Sequence, residues 1–238
     1  MNDTTAVILA AGIGSRLAPL TDTTPKCLVK VAGRSILSHQ VAAFQAAGIS
    51  RIVVVAGYRA AQVRAAAPSG CIVVENSEYL ATNNMYSLAL AETHISDELI
   101  LLNGDVVFAP EILSTVLASR FSDCIATDVG RYMEESMKVA VREDGSIFQI
   151  AKTVSREDAF GTSIDLYRFS GKAVAMLFRH VAAYLQKGDR KQWTEVAIND
   201  LVKETAVYPV DIAGRDWVEI DNAIDLREAE TKWSQTAI

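Results

Sequence analysis

The sequence predicts an α/β fold in which a mixed, mostly parallel sheet is covered by helices on both faces. Over roughly the first hundred residues, short apolar strand-like runs alternate with helical segments. The second half instead places several strands close together, and no linker, repeat or low-complexity stretch divides the chain. We therefore expect one domain over residues 1–238, built of three layers with a small antiparallel insertion in the sheet.

The first half alternates regularly between strands and helices. Ala6–Ala10 reads AVILA, a short apolar run that is typical of a buried strand. Ile36–Ala47 has helical spacing and stops at Gly48, a residue that ends helices without strain. The same criteria predict strands at Arg51–Ala56, Cys71–Val74 and Leu99–Leu102, and helices at Ala60–Ala67 and Met85–Thr93.

The second half is richer in strands. Asp144–Gly145 is typical of a hairpin turn, which places the antiparallel insertion around these two residues. The other predicted strands are Ser122–Val129, Met137–Glu143, Ile147–Lys152, Ser163–Phe169, Ala206–Ile212 and Trp217–Ile220. The predicted helices are Lys172–Gln186, Trp193–Thr205 and Asn222–Trp233.

Composition excludes several classes of protein. The formal net charge of −6 disfavours nucleic-acid binding, because affinity for the phosphate backbone needs clustered Lys and Arg. The three cysteines, Cys27, Cys71 and Cys124, are far apart and form no Cys-x-x-Cys pair, so neither a disulfide framework nor a zinc site is indicated. No apolar run reaches the length of a membrane helix, and the start is unlike a signal peptide. We expect a cytoplasmic protein, either a monomer or a homodimer, with no membrane or nucleic-acid partner.

The loop after the first strand is the most informative stretch. Val7–Gly33 reads VILAAGIGSRLAPLTDTTPKCLVKVAG. It lacks the third glycine of a dinucleotide fingerprint, and no lysine follows its glycines as a P-loop requires. Gly12 and Gly14 allow backbone N–H groups to approach an anion, and Arg16 and Lys26 add positive charge. The loop predicts a triphosphate cradle, and a tight turn with two solvated cations is the alternative.

The same stretch resembles the signature of the nucleoside-triphosphate transferase family, the nucleotidyltransferases that make sugar nucleotides and CDP-alcohols. The family pattern, roughly A-A-G-x-G-x-R-L-x-P-L-T followed by P-K, is matched at Ala10, Ala11, Gly12, Gly14, Arg16, Leu17, Pro19, Leu20, Thr21, Pro25 and Lys26. Asn103-Gly104-Asp105 resembles the family's metal-binding strand end. Trp217–Glu230 resembles the segment that supplies a second metal-binding aspartate. The resemblance covers nearly the whole chain and implies a Rossmann-like fold.

Within that family the chain is most similar to the small cytidylyltransferases that act on phosphocholine or 2-aminoethylphosphonate. Thr82–Ala91, Glu134–Val141 and Trp217–Asp221 carry this likeness. It implies transfer of CMP from CTP, or of another nucleotide, to a small phosphorylated acceptor with release of pyrophosphate. Asp165 is an unexpected charge where those relatives are apolar, so the acceptor can differ from choline. A sugar-1-phosphate acceptor and a non-enzymatic nucleotide-binding regulator stay open as alternatives.

The resemblance also implies roles for individual residues. Lys26 is expected to contact the α-phosphate, and Arg16 the β- and γ-phosphates. Asp105 and Asp221 are expected to hold Mg²⁺, a hard ion that takes oxygen ligands, although an aspartate in the position of Asp221 can equally cap a helix. The nucleotide is expected to contact Ala10, Ala11, Gly12, Gly14, Ser15, Asn83, Asn84 and Ser87.

The acceptor site is the least defined by the sequence. The amides of Asn83 and Asn84 can read a pyrimidine or cap a helix. Aromatic side chains could cage a quaternary ammonium, and carboxylates could balance its charge, although ordinary packing is the alternative for each ring. The residues expected at the acceptor are Tyr86, Tyr132, Glu134, Lys138, Asp165, Trp193 and Trp217.

Overall fold

The protein is described by a computed structural model that covers residues 3–234. Its strands are β1 (Thr4–Ala10), β2 (Lys30–Val31), β3 (Arg34–Ser35), β4 (Arg51–Ala56), β5 (Cys71–Glu75), β6 (Glu98–Asn103), β7 (Val106–Phe108), β8 (Cys124–Val129), β9 (Lys138–Val141), β10 (Ile147–Ala151), β11 (Gly161–Phe169), β12 (Tyr208–Asp211) and β13 (Trp217–Glu219). Its α-helices are α1 (Ile36–Ala46), α2 (Ala60–Ala66), α3 (Asn84–Ala91), α4 (Pro110–Ala118), α5 (Gly171–Gln186), α6 (Thr194–Glu204) and α7 (Ala223–Ser234). Short 3₁₀ turns lie at Ser15–Leu17, Leu20–Asp22, Lys26–Leu28 and Glu92–His94.

The main sheet is mixed. Strands β5, β4, β1 and β6 lie side by side and parallel, and β11 pairs with β6 in the antiparallel direction. On the far side of β11, strand β8 pairs with it and carries β12 in parallel. The hairpin β9–β10 is the antiparallel insertion, and it joins the sheet at the start of β11. The predicted α/β fold, with a mixed sheet that is parallel at its centre, is confirmed.

Helices cover both faces of this sheet. Along β1, Ile8 packs into the core layer that holds α1, α2 and α4, whereas Val7 and Leu9 pack into the layer that holds α3, α5 and α6. Successive side chains of a strand point to opposite faces, so a strand buried on both faces reads as one apolar run. This explains why β1 was recognisable from AVILA. No helix among residues 3–234 has the length and apolar character needed to cross a membrane.

A third, smaller apolar cluster lies beneath the loop that follows β1. Leu17 of that loop packs with Val31, Val107, Ile220 and Ala229. These residues come from β2, β7, the end of β13 and α7, and β7 pairs with β13 in the antiparallel direction. The cluster therefore joins the glycine-containing loop to the segments that carry Asp105 and Asp221.

Two parts of the fold differ from the sequence prediction. The sequence pattern predicts no element at Pro110–Ala118, where the structure has helix α4. Pro110 occupies its first turn, where no N–H is needed, and Ile112, Leu113 and Val116 are buried along one side. The short strands β2, β3 and β7 were also not predicted, because strands of two or three residues depend on a partner rather than on their own pattern.

Strand β11 bends sharply at one residue. Asp165 has a φ of +58°, in the left-handed region that residues other than glycine seldom adopt. The register against β8 shifts between Ser163 and Tyr167, which marks a bulge. The Ser163 hydroxyl accepts a hydrogen bond from the Asp165 N–H at 3.1 Å. Before the bend β11 pairs with β9, and after it with β6, so the bend lies where β6 ends.

A largely buried ion pair connects the opposite end of the sheet to α4. Arg168 Nε donates to Glu98 Oε1 at 2.5 Å, and Thr4 Oγ1 donates to Glu98 Oε2 at 2.7 Å. The same guanidinium donates to the carbonyls of Val116 and Leu117 in the last turn of α4, where the Val116 carbonyl also accepts from the Ser119 N–H at 3.3 Å. One arginine therefore joins β6, β11 and α4.

We expect Glu98→Ala to lower the free energy of unfolding by about 3 kcal/mol, because it leaves the Arg168 guanidinium buried without its anion. Urea unfolding followed by circular dichroism measures the change. Arg64→Ala is the control, since it removes the exposed Arg64–Glu75 pair and should cost less than about 1 kcal/mol. Equal, small losses in both variants would show that the buried pair does not stabilise the fold.

Candidate active site

A cleft of about 350 Å³ opens where β1 and β6 end. In parallel sheets, loops at the carboxyl ends of the strands form the usual binding crevice. The cleft is lined by Gly12, Gly14, Ser15, Arg16, Lys26, Asn83, Asn84, Asn103, Asp105, Ser136, Met137, Lys152, Asp165, Trp193, Glu195, Glu219 and Asp221. An adjoining cleft of about 200 Å³ shares several of these and adds Leu9, Ala11, Asn76, Tyr79, Thr82 and Ser87. Together they bring most of the predicted nucleotide and metal residues to one place.

The glycine-containing loop approaches Lys26 closely. Gly14 has a φ of +71°, and its carbonyl accepts hydrogen bonds from the Leu17 N–H at 3.0 Å and the Thr21 hydroxyl at 2.8 Å. A Cβ at Gly14 would lie 2.9 Å from the Lys26 Cβ, so glycine is required both for the backbone conformation and for the space. A Cβ at Gly12 would meet nothing within 4 Å, because this residue faces the open cleft.

A network of charged side chains lies at the bottom of the loop. Lys26 Nζ donates to Asp105 Oδ2 and to Asp221 Oδ1, each at 2.7 Å. Arg16 reaches the other oxygen of Asp221 at 2.7 Å. Burial alone lowers the pKa of Lys26, but the charges of the two aspartates and their hydrogen bonds outweigh it, so the pKa is raised above its usual value. The lysine is therefore a fixed cation.

Three carboxylates converge beside this lysine. Asp105, Glu219 and Asp221 each offer an oxygen within 4.8 Å of the others. Asp105 Oδ1 is buried and has no hydrogen-bond partner among residues 3–234. Burial, followed by the charges of Asp105 and Asp221, raises the pKa of Glu219 to about 7. Carboxylate oxygens are the ligands that Mg²⁺ prefers, so this donor set fits a hard divalent ion.

Glu219 was not among the predicted site residues. It stands two positions before Asp221, and residues at that spacing in an extended segment point to the same side. That alternation is the signal that could have identified it.

The structure assigns the capping of α7 to a different residue from Asp221. Asn222 Oδ1 accepts hydrogen bonds from the N–H groups of Ile224 at 2.7 Å and Asp225 at 3.3 Å. Asp225 Oδ2 in turn accepts from the N–H groups of Asp221 and Asn222. This reciprocal arrangement leaves the Asp221 carboxylate directed at Arg16 and Lys26.

The residues expected around the base make hydrogen bonds within the chain and also line the second cleft. Asn83 caps α3 by accepting from the Asn84 N–H at 2.8 Å, and Asn84 Oδ1 accepts from the Thr194 N–H at 2.9 Å. Asn76 donates to the Ser87 hydroxyl at 3.0 Å. Asn83, Asn84 and Ser87 nevertheless all line the second cleft, whereas Ala10 is buried in the core. Their contact with a base stays a prediction.

The expected acceptor residues are divided between the main cleft and other parts of the structure. Asp165 and Trp193 line the main cleft. The others lie outside its lining: Tyr86, Tyr132, Glu134, Lys138 and Trp217. Lys138 is fully buried and donates to the Glu134 carbonyl at 2.8 Å, and Trp217 Nε1 donates to Asp128 at 2.8 Å. The structure therefore brings two of the seven expected residues to the main cleft, and their contact with an acceptor stays a prediction.

Two buried carboxyls of the cleft lining are connected by a tyrosine hydroxyl. The Tyr167 hydroxyl lies 2.9 Å from Asp165 Oδ1 and 2.9 Å from Glu195 Oε1. Asn103 Nδ2 donates to the second Asp165 oxygen at 2.9 Å. Burial first, and then the charges of Glu219 and Glu195, raise the pKa of Asp165 well above its usual value, and burial raises that of Glu195. A phenol has one proton, so both contacts are hydrogen bonds when one carboxyl is protonated. Neither Tyr167 nor Glu195 was predicted, because each lies within an ordinary amphipathic pattern.

Comparisons with known proteins agree with this geometry. The chain is 28% identical over 238 residues to the bifunctional IPC transferase and DIPP synthase of Aquifex aeolicus. The alignment covers 98% of this chain and 53% of that protein, so the chain spans about half the length of this relative. It is 29% identical over 233 residues to the 2-aminoethylphosphonate cytidylyltransferase of Lancefieldella rimae, covering 94% of this chain and 90% of that one. The solved CTP:phosphocholine cytidylyltransferase of Streptococcus pneumoniae has a similar fold, with a TM-score of 0.76 at 22% identity over 97% of this chain and 99% of that one.

The family assignment follows from a match over most of the chain. Residues 6–192 match the MobA-like NTP transferase domain, a range that begins in β1 and ends just before α6. This confirms the nucleotidyltransferase resemblance that the opening loop predicted. The chain belongs to the MobA-like NTP transferase domain family.

Proposed function

We propose that this protein transfers CMP from CTP to a small phosphorylated or phosphonate acceptor and releases pyrophosphate, in a Mg²⁺-dependent reaction. The observation that carries the proposal is the position of Lys26 Nζ, 2.7 Å from both Asp105 and Asp221 and beneath an open glycine loop. A fixed cation, a carboxylate cluster and an exposed backbone are the groups that transfer between two phosphates requires. The cytidylyltransferase relative supports the choice of nucleotide.

The proposed nucleotide extends along the two adjoining clefts. The smaller cleft offers Asn83, Asn84 and Ser87, whose amides and hydroxyl can donate to and accept from a pyrimidine. The triphosphate then extends past Gly12 towards Arg16 and Lys26. This orientation places the α-phosphate near Lys26 and the pyrophosphate beside Arg16.

The transfer itself needs no general base from the protein. An acceptor phosphate has a second pKa of about 6, so its oxygen is already ionised at neutral pH. That oxygen forms a bond to the α-phosphorus, the bond from this phosphorus to the β-phosphate oxygen breaks, and pyrophosphate leaves. The activation barrier comes mainly from bringing two anions together. Lys26 and Arg16 would lower this barrier by supplying positive charge that is already in place.

The carboxylate cluster provides the place for the metal. Asp105 and Asp221 would hold Mg²⁺, and Glu219 lies beside them. A bound Mg²⁺ supplies charge neutralisation and orientation for the triphosphate. The contacts of Lys26 and Arg16 with the aspartates keep the two carboxylates in position at the same time.

Lys26→Ala tests the cationic centre. We expect kcat to fall by about a hundredfold or more, the effect of removing one electrostatic stabiliser of a transition state. Pyrophosphate release with CTP measures it. Lys30→Ala is the matched control, because Lys30 is exposed on β2 and should leave kcat unchanged.

We also expect Lys26→Ala to lower the free energy of unfolding, more than the loss of an exposed lysine in a loop would. Lys26 has a side chain only 14% exposed between two carboxylates, so its loss leaves like charges together. A near-normal kcat in folded Lys26→Ala protein would contradict the assignment of Lys26 to the α-phosphate.

Asp221→Asn tests the metal site. We expect the Mg²⁺ concentration for half-maximal activity to rise about tenfold or more, since one anionic ligand is removed. Titration of activity with MgCl₂ measures this. Asn222→Ala is the comparison: it removes the α7 cap, so it should lower the free energy of unfolding by about 1 kcal/mol with unchanged Mg²⁺ dependence. An unchanged Mg²⁺ titration in Asp221→Asn would remove Asp221 from the metal site.

Gly12→Ala tests the approach of the triphosphate. The added Cβ meets nothing within 4 Å, so the melting temperature should not change. The KM for CTP should rise about tenfold, because the methyl group occupies space beside the phosphates. Thermal unfolding and initial rates are the two measurements. An unchanged KM would place the triphosphate away from Gly12.

A further inference from the structure

The main cleft contains a buried carboxyl group that is only half satisfied. Glu195 is 4% exposed and lines the cleft. Its Oε1 contacts the Tyr167 hydroxyl at 2.9 Å, whereas its Oε2 is buried with no hydrogen-bond partner among residues 3–234. A buried acceptor without a donor costs about 1–3 kcal/mol. A ligand that brings a donor to this oxygen would therefore be favoured.

The surroundings of Glu195 are acidic. Asp165 is connected to it through Tyr167, and both carboxyls line the same cleft. The cations Arg16 and Lys26 of the cleft already contact Asp105 and Asp221, on the side where the triphosphate is proposed to bind. The remaining cation of the lining is Lys152, whose ammonium also lies 5.2 Å from the centroid of the Trp193 ring. The charge of Lys152 also reaches Glu195, so the acidic part of the cleft, which Asp165 and Glu195 form, holds one cation as well.

The aromatic side chains do not form a free cage. A quaternary ammonium has no N–H to donate, and it is recognised through aromatic faces. Each ring that the sequence suggested for this role has a cation of the chain near its face: Arg190 over Tyr86 at 4.2 Å, Arg156 over Tyr132 at 4.2 Å, Lys152 over Trp193 at 5.2 Å and Arg131 over Trp217 at 5.5 Å. Among the described residues of the lining, Trp193 is the one aromatic side chain.

We propose that the acceptor is an aminoalkyl phosphate or phosphonate, whose primary ammonium group is bound by Glu195 and Asp165. The inference rests on the proposed function and specifies the acceptor class for the same site. An ammonium group has three N–H donors, so it can satisfy the Glu195 Oε2 and also contact Asp165. Its positive charge matches the acidic part of the cleft. A neutral polyol also donates hydrogen bonds, but it brings no positive charge to these two carboxyls.

An acceptor panel tests the proposal directly. Pyrophosphate release is measured with CTP and Mg²⁺ and with phosphoethanolamine, 2-aminoethylphosphonate, phosphocholine or inositol 1-phosphate. We expect kcat/KM for one of the two primary amines to exceed that for phosphocholine by about a hundredfold, since methylation removes every N–H donor. We expect kcat/KM for the preferred amine to exceed that for inositol 1-phosphate by a similar factor.

The outcomes separate this inference from the proposed function. A preference for phosphocholine or for inositol 1-phosphate would overturn the primary-amine assignment while the transferase activity stands. If CTP raises the melting temperature but no acceptor in the panel releases pyrophosphate, the proposed function is overturned and the acceptor class with it.

Glu195→Gln locates the ammonium site. The substitution keeps the shape of the side chain and an acceptor for Tyr167, but it replaces one carboxyl oxygen with an NH₂ donor. We expect the KM for the preferred amine to rise about tenfold or more and the KM for CTP to stay unchanged, the pattern of lost binding at one subsite. Glu111→Gln, an exposed glutamate of α4, is the control and should change neither constant.

Two further measurements keep this test decisive if the buried substitution affects folding. The CTP-induced rise in melting temperature shows whether Glu195→Gln protein retains its nucleotide site. Asp165→Asn provides a second variant, and it should raise the KM for the amine without changing that for CTP. Unchanged acceptor selectivity in folded protein of both variants would overturn the assignment of the ammonium to these carboxyls.

Discussion

The ammonium group of Lys26 is the contact on which the site depends. It joins Asp105, which is 79 residues away in the sequence, to Asp221, which is 195 residues away. Three segments that the fold brings together from the end of β6, the end of β13 and the loop after β1 therefore meet at one nitrogen. The contact also constrains the loop, because the Lys26 side chain passes so close to Gly14 that a methyl group there would clash. The lysine between two carboxylates therefore holds these three segments together at the site.

The second constraint is the bend in β11. Asp165 adopts a left-handed conformation that costs about 1–3 kcal/mol for a residue other than glycine. The bend ends the pairing with β9 and begins the pairing with β6, so it places the Asp165 carboxyl beside Asn103 at the end of β6. Tyr167 follows two residues later and connects this carboxyl to Glu195 on α6. The strained residue of β11 is therefore the same residue that carries the buried Asp165 carboxyl, which makes polar contacts instead of packing in the apolar core.

These two constraints together give the cleft an uneven charge distribution. Arg16 and Lys26 lie on the side of the glycine loop, and Asp165 and Glu195 lie on the side of α6 and β11. Phosphate groups and a cationic headgroup need opposite surroundings, and one cleft can bind both when its charges are separated in this way. The carboxylates of Asp105, Glu219 and Asp221 lie beside the cationic groups, where a divalent ion would reduce repulsion between the two phosphates.

The sequence by itself determined the features that depend on neighbours in the chain. Buried strands such as Ala6–Ala10 are visible as apolar runs, and the signature from Ala10 to Lys26 predicted the family because its glycines and cations are close in sequence. Only the tertiary structure decided the rest. Glu195 and Tyr167 look like ordinary residues of a helix and a strand until the bend of β11 brings them together. The aromatic residues expected at the acceptor lie apart, because their partners, among them Arg190 and Asp128, are distant in sequence and their contacts follow from packing rather than from local pattern.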